Sequence, residues 1–286
     1  MQRHISIQMS GRLGNQLFQW AFAHQVAIKY RSKIQPIYDS IHEHKGYESN
    51  ISSLEFPCSH VLQSKRRDYV GYLLAGLDKI NSKSAGLGCY LASKLGILRT
   101  GDHDEIPLLP LIAPNLVTGF FINWKVVQGI ELLLAEELKI ALENVEVPFR
   151  VEGHFQVLHV RRGDFKNLKD TFGILSSEYY SRNLDRSLPT YICTDDEALV
   201  PHIQLATDAI SVFGPSDLNP IQTLKLMSEA NSVVMSNSTL SWWGGFLCMQ
   251  NGGRALLPKP YYKYLNEDAT NFQMPGFILV PSVFEN

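Results

Sequence analysis

Two adjacent arginines at the end of an apolar strand are the first chemistry that the sequence offers. His159–Phe165 reads HVRRGDF and continues FQVLHV, so Arg161 and Arg162 emerge where a strand runs into a loop. A guanidinium carries five donors, keeps its charge, and presents a planar fork that matches phosphate oxygens in pairs. Such a pair suits a diphosphate leaving group, which gains charge as the bond to it breaks. The same residues admit a structural reading, in which Arg161 and Arg162 are knotted to Asp164 and other acids. His159 likewise reads either as a site residue or as a hydrogen-bonded core histidine.

Three further segments have the residue types to assist. Gly11–Gln16 (GRLGNQ) joins a strand-like start to a helix. Gly14 allows close backbone approach, and Asn15 can cap the helix or bond a ligand. A plain tight turn is the alternative, since neither GxGxxG nor the P-loop pattern is matched. Asn237–Gly245 (NSTLSWWGG) offers the hydroxyls of Ser238, Thr239 and Ser241 at a predicted helix start, suited to phosphate oxygens, with Trp242 and Trp243 as packing. Asp195 and Asp196, in CTDDEALV, can accept from a guanine edge or cap a helix.

Positioning these groups requires a strand–helix alternation. His4–Met9 reads as a strand, Asn15–Tyr30 as a helix with Leu17, Trp20, Ala21, His24, Ala27 and Ile28 on one face, and Ile34–Tyr38 as a strand. That βαβ opening implies an α/β protein with a parallel sheet. Leu116–Phe121 reads as a strand and Glu131–Leu142 as a helix. The alternation resumes with strands at Phe155–Val160, Thr190–Cys193, Ile210–Phe213, Ser232–Met235 and Arg254–Leu257, and helices at Tyr179–Leu184 and Pro220–Ala230. Three of these strands end in polar loops, where ligands of doubly wound sheets bind. A chain of 286 residues suits two domains, expected here as 1–145 and 146–286.

Composition excludes several classes. An apolar fraction of 45% with 19% charged residues is that of an ordinary globular protein. A formal charge of −2 argues against nucleic acid as a partner. Cys58, Cys89, Cys193 and Cys248 have no metal-like spacing and are expected as free thiols in a reducing, cytoplasmic setting. No signal peptide and no membrane-spanning run is read. Asp102–Asp104 has DxD spacing but follows no apolar strand, so no metal site is expected. The stretch from Lys65, KRRDYVGYLLAGLDKI, reads as a helix with a basic start or as a membrane-surface segment.

Taken together, HVRRGDF, GRLGNQLFQWAFA, GFFINWKVVQ, YICTDD and SNSTLSWWGGFL resemble the bacterial-type α-1,2-fucosyltransferase family, in the family's order, over almost the whole chain. The resemblance implies a GT-B fold, two Rossmann-like domains facing across a cleft, with the donor GDP-fucose mainly on the second. It implies an inverting, metal-independent transfer to the 2-hydroxyl of a β-galactoside, as in O-antigen biosynthesis, with no cofactor. The acceptor would be a galactose-containing oligosaccharide, lipid-linked where the enzyme works peripherally at the inner membrane face. Arg161 and His159 map to the catalytic pair. Gly14, Asn15, Arg162, Asp164, Asp195, Asp196, Ser238, Thr239 and Ser241 map to donor contacts. Asp39 and His44 lie in an acceptor-side loop, without an assigned general base. The HxRR element is shared with α-1,6- and protein O-fucosyltransferases, which remain alternatives, as does a non-catalytic binding module. GFFI and NPIQTLKLMS depart from the family pattern, which leaves the acceptor less defined than the donor.

Overall fold

The computed structural model describes residues 4–38, 50–56, 93–100, 104–151, 153–196, 198, 210–263 and 271–285. Asp39, His44, Cys58, Cys89, Asp102 and the basic stretch from Lys65 lie outside them. The chain divides into two compact units, Met1–Ala141 and Leu142–Asn286.

In unit 1, β1 (His4–Met9) turns Ile5, Ile7 and Met9 inward at alternate positions. It passes through a turn at Ser10–Arg12 into α1 (Leu13–Tyr30) and returns as β2 (Lys33–Tyr38), parallel to β1. With β3 (Ile97–Arg99) and β4 (Leu116–Thr118) the sheet has the order β2-β1-β4-β3, every pairing parallel. α1 starts two residues earlier than the pattern predicts. Arg12 is its extended N-cap, and the Arg12 carbonyl accepts from the N–H groups of Asn15 and Gln16 at 2.9 and 3.1 Å. Asn15 is therefore inside the first turn and is not a cap. Ile28, assigned by periodicity to the inward face, is half exposed, whereas Ala27 beside it is buried as expected.

β4 was expected to run to Phe121, but it stops at Thr118. Gly119 has φ 154° and Phe121 φ 54°, so the chain bends away from the sheet. A Cβ at position 119 would collide with Thr100 Oγ1. Phe121 holds its left-handed conformation because its ring is fully buried and stacked on Phe22, centroids 4.1 Å apart. α2 (Glu131–Glu143) then carries the chain from the first unit into the second. It is tied to α1 by a buried pair, His24 Nε2 to Glu137 Oε2 at 3.3 Å.

Unit 2 contains β5 (Gln156–Val160), α3 (Ser177–Arg182), β6 (Thr190–Thr194), β7 (Ser211–Phe213), α4 (Pro220–Glu229), β8 (Ser232–Val234), α5 (Thr239–Gln250), β9 (Arg254–Lys259) and β10 (Ile278–Pro281). The sheet order is β10-β9-β8-β5-β6-β7, all parallel. Numbered within this unit and read from β7, that is 3-2-1-4-5-6, the order of dinucleotide-binding sheets. The winding reverses between β5 and β8, leaving a crevice at their carboxyl ends. β5 is buried at every residue, as expected of a central parallel strand.

Local sequence explains the flanking helices. Asn219 accepts from the N–H groups of Ile221 and Gln222, Gln222 bonds back to the Asn219 N–H, and Pro220 occupies the first turn. NPIQ is thus a capping box with an N-terminal proline. α5 is apolar almost all round because it is buried on several sides. Gly244 and Gly245 let it approach its neighbours: added Cβ atoms would strike Met227 on α4 and Met235 beyond β8.

Candidate active site

The turn after β5 is organised by a carboxylate from the turn after β6. Asp195 Oδ1 accepts from the backbone N–H of Arg162 at 2.7 Å and of Gly163 at 3.0 Å. Its other oxygen pairs with the Arg161 guanidinium. A Cβ on Gly163 would collide with Asp195, so the glycine makes this close approach possible. Arg161 is also bonded to Asp164 Oδ1 at 2.5 Å, and its guanidinium lies over the Phe165 ring, 5.4 Å from the centroid. Of its two carboxylate partners Asp164 is 35% exposed and Asp195 21%, so Asp164 is the one nearer to solvent.

Arg162 faces a second set of acids. It pairs with Glu285, and its Nε lies 3.5 Å from Asp196 Oδ2, which also receives Lys166 Nζ at 2.7 Å. The cluster therefore holds Arg161, Arg162 and Lys166 against Asp164, Asp195, Asp196 and Glu285. As the structure stands, the arginines are salt-bridged to acids, one of the two readings the sequence left open. Asp195 and Asp196 are both engaged with the arginine turn.

His159 is 5% exposed and lies on β5 beside β8, with Nδ1 3.2 Å from Ser236 Oγ. Burial lowers its pKa to about 4; the Asp195 charge opposes this and the Arg161 charge adds to it. The imidazole is neutral at neutral pH, and it joins the two strands on either side of the switch point. Here it positions the turn after β8.

That turn is braced from several directions. Ser241 is fully buried, and its Oγ accepts from the Ser236 N–H at 2.8 Å. Asn237 Nδ2 donates to the carbonyls of Phe172 and Gly173 at 3.0 and 3.1 Å. The Tyr179 hydroxyl donates to the Met235 carbonyl at 2.7 Å. Ser241, taken from sequence as a phosphate contact, shapes the turn from within. Trp242 and Trp243 are fully buried, and Trp242 Nε1 donates to the Phe272 carbonyl at 2.9 Å, so the pair packs the core. Ser238 is the N-cap of α5 but makes no side-chain cap bond, and the first turn carries no acid. The positive end of α5 therefore faces the same carboxyl edge as Arg161, with Thr239 half-buried beside it.

In unit 1 the glycine turn is held by glutamines. The Ser10 N–H donates to Gln19 Oε1 at 2.9 Å, and Gln19 Nε2 donates to Ser10 Oγ and to the Gly119 carbonyl at 3.1 and 2.9 Å. Gln16 Nε2 donates to the Gly11 carbonyl at 3.0 Å, and its Oε1 accepts from the Ile51 N–H. Gly11 has φ 75°, and a Cβ there would meet Asn15 Nδ2 at 2.7 Å. Gly14 is buried and Asn15 half-buried at this edge.

Lys166, Ser236 and Glu285 belong to the unit 2 cluster and were not singled out from sequence. Lys166 lies one helical turn beyond Arg162, a spacing that could have flagged it. Glu285, 123 residues from Arg162, gave no local signal. Among the described residues, no three potential metal ligands of the His, Cys, Asp or Glu type are grouped. Cys193 and Cys248 are buried free thiols, pushed up to about 12 by burial.

The chain has the α/β fold of GT-B-type glycosyltransferases, as solved structures show. The fucosyltransferase NodZ from Bradyrhizobium has this fold, at TM-score 0.51 and 12% identity, over 86% of this chain and 93% of that one. An E. coli heptosyltransferase, WaaC with ADP-2-deoxy-2-fluoro heptose, is similar at TM-score 0.49 and 10% identity, over 97% of this chain and 93% of that one. The chain belongs to glycosyl transferase family 11, whose family model matches residues 101–272, more than half of its length. No curated protein matches it in sequence at a significant level.

Proposed function

We propose that the protein transfers L-fucose from GDP-β-L-fucose to the 2-hydroxyl of a galactose-containing oligosaccharide, inverting the anomeric centre without a metal. The observation that carries this is the arginine turn of β5 and the α5 N-terminus at the two lips of one switch point. Family membership and the fucosyltransferase named among the similar structures support fucose as the sugar. In the reaction the acceptor oxygen attacks C1 of fucose as the bond from C1 to the diphosphate oxygen breaks; GDP leaves with the bonding pair, and the proton of the acceptor hydroxyl passes to solvent.

Arg161 is the catalytic group in this reading. The diphosphate displaces Asp164, the more exposed of its two carboxylate partners, while Asp195 keeps the guanidinium aimed. Arg162 and Asp196 border the nucleotide, and Ser238 and Thr239 with the α5 N–H groups receive phosphate oxygens. Gly14 and Asn15 are assigned to the donor on the family resemblance alone. Contact with an anionic membrane face, where a lipid-linked acceptor is met, is part of the same reading.

The test is incubation with GDP-fucose and a panel of β-galactosides, with product linkage read by NMR. An α-1,2 linkage is expected. A 6-linked product would redirect the reading to an α-1,6-fucosyltransferase, and transfer from GDP-mannose alone would overturn the donor. GDP binding without transfer to any acceptor would leave only a binding module. Arg161→Lys should lower kcat by about 100- to 1,000-fold, the scale of one preorganised donor at a developing charge. Turnover near wild type in that variant would remove Arg161 from the chemistry.

A further inference from the structure

The amino edge of the unit 1 sheet carries an apolar loop that the fold holds out into solvent. Leu108, Leu111 and Ile112 are 95%, 100% and 79% exposed. The segment is nonetheless tied down through its backbone. Lys29 Nζ donates to the Leu109 carbonyl at 2.7 Å, and the Tyr30 hydroxyl to the Pro110 carbonyl at 2.6 Å. On its other side the Asn115 N–H donates to the Gly96 carbonyl at 2.7 Å, which joins it to the turn containing Lys94. Three stretches thus form one continuous surface: 28–33, 93–96 and 106–116.

Their charges have a single sign. Lys29, Arg31, Lys33 and Lys94 lie in these stretches, and none of the three contains an Asp or Glu. All four parallel strands of the unit begin at this edge. The edge is therefore opposite to the one bearing Gly14 and Asn15, and the surface has no part in the donor contacts.

From this we infer that the surface docks on an anionic lipid bilayer, with the leucines of the 106–114 loop entering the headgroup layer and the cations meeting lipid phosphates. Single aliphatic side chains standing clear of the surface suit insertion into a soft interface better than a flat protein partner. A second copy of the chain is disfavoured, because a two-fold contact through this face would set the cations against themselves. The inference gives a location to the membrane contact proposed above, and it does not depend on fucosyl transfer.

The experiment is co-sedimentation of the full chain with vesicles of phosphatidylcholine, with or without phosphatidylglycerol, at low and high salt. Wild type should pellet with the phosphatidylglycerol vesicles at low salt only. Leu111→Ser with Ile112→Ser, and separately Arg31→Gln with Lys94→Gln, should each weaken binding about tenfold or more, the latter being the loss expected for two cations near an anionic surface. These positions are exposed, so both variants should keep the wild-type melting temperature and turnover on a soluble acceptor. Failure of wild type to bind, or wild-type binding by either variant, would overturn the inference. So would a dimer in sedimentation velocity that the serine variant converts to monomer. Because the vesicle assay uses no donor, it can fail while fucosyl transfer stands, and the reverse.

Discussion

The Asp195 carboxylate has three partners, the Arg162 and Gly163 N–H groups and the Arg161 guanidinium, and a truncation removes them all. Asp195→Ala should cost about 2–4 kcal/mol in urea denaturation, since it strands two backbone donors and a guanidinium that is largely buried. Asp195→Asn keeps one acceptor oxygen and should cost roughly half as much. His159 supplies a pH signature. Its folded pKa of about 4 lies below the ordinary 6.5, so as pH falls the unfolded chain takes up the proton first. Stability contributed here is complete above pH 6.5 and declines between 6.5 and 4, by about 3 kcal/mol in total. His159→Asn should flatten that part of the melting-temperature profile, and an unchanged slope would show that the imidazole is not the group responsible. At this scale the sequence disclosed which residues carry charge but not how they pair. RRGD reads as a phosphate grip or as a salt-bridge knot, and the partners Asp195 and Glu285 arrive from the segments after β6 and β10.

Elements were far more legible, because burial imposes a period. The strands β5, β6, β7 and β8 follow from short apolar runs, and α2 from its stripe, within a residue or two of their observed ends. What went unread has a physical reason in each case. β10 is an edge strand with Ile278 and Leu279 about 40% exposed, so no alternation marks it. The start of the predicted Pro220–Ala230 helix also carries a readable capping signal in NPIQ. SWWGG looked like chemistry and is mostly packing, its glycines spent on close approach. A contrast between glycines tests that packing. At Gly253 a Cβ would press on the backbone carbonyls of Ala230 and Asn231 at 2.8 and 3.0 Å and on Cys248 Sγ at 2.5 Å, none of which can move freely. At Gly245 the obstacle is the flexible end of Met235. Gly253→Ala should therefore cost about 2–3 kcal/mol by thermal denaturation, and Gly245→Ala about 1 kcal/mol, partly offset by its better helix propensity.

At the scale of the molecule, the unit boundary falls inside α2, and the buried His24–Glu137 pair fastens that helix to α1. Glu137→Ala removes this buried contact with His24, so it should lower the stability of unit 1 by about 1–3 kcal/mol. Calorimetry should show this as an earlier first transition, with the transition of unit 2 unmoved. GDP should do the opposite, raising only unit 2, by about 2.7 kcal/mol at a hundredfold excess over its Kd. A shift of both transitions in the Glu137 variant would mean that the two units melt as one; with GDP alone it would mean that Gly14 and Asn15 meet the nucleotide as well. The Arg162–Glu285 pair also has a consequence for how the chain is made. The carboxylate is held in place by the 283–285 segment, whose Val283 carbonyl accepts from Ser176 and whose Glu285 N–H donates to Ile174. Arg162 is synthesised 123 residues before that partner, a delay of roughly 6–25 s at ordinary translation rates. Throughout that interval on the ribosome the guanidinium must rely on water or on Asp196, so the site can close only after nearly all of unit 2 has emerged.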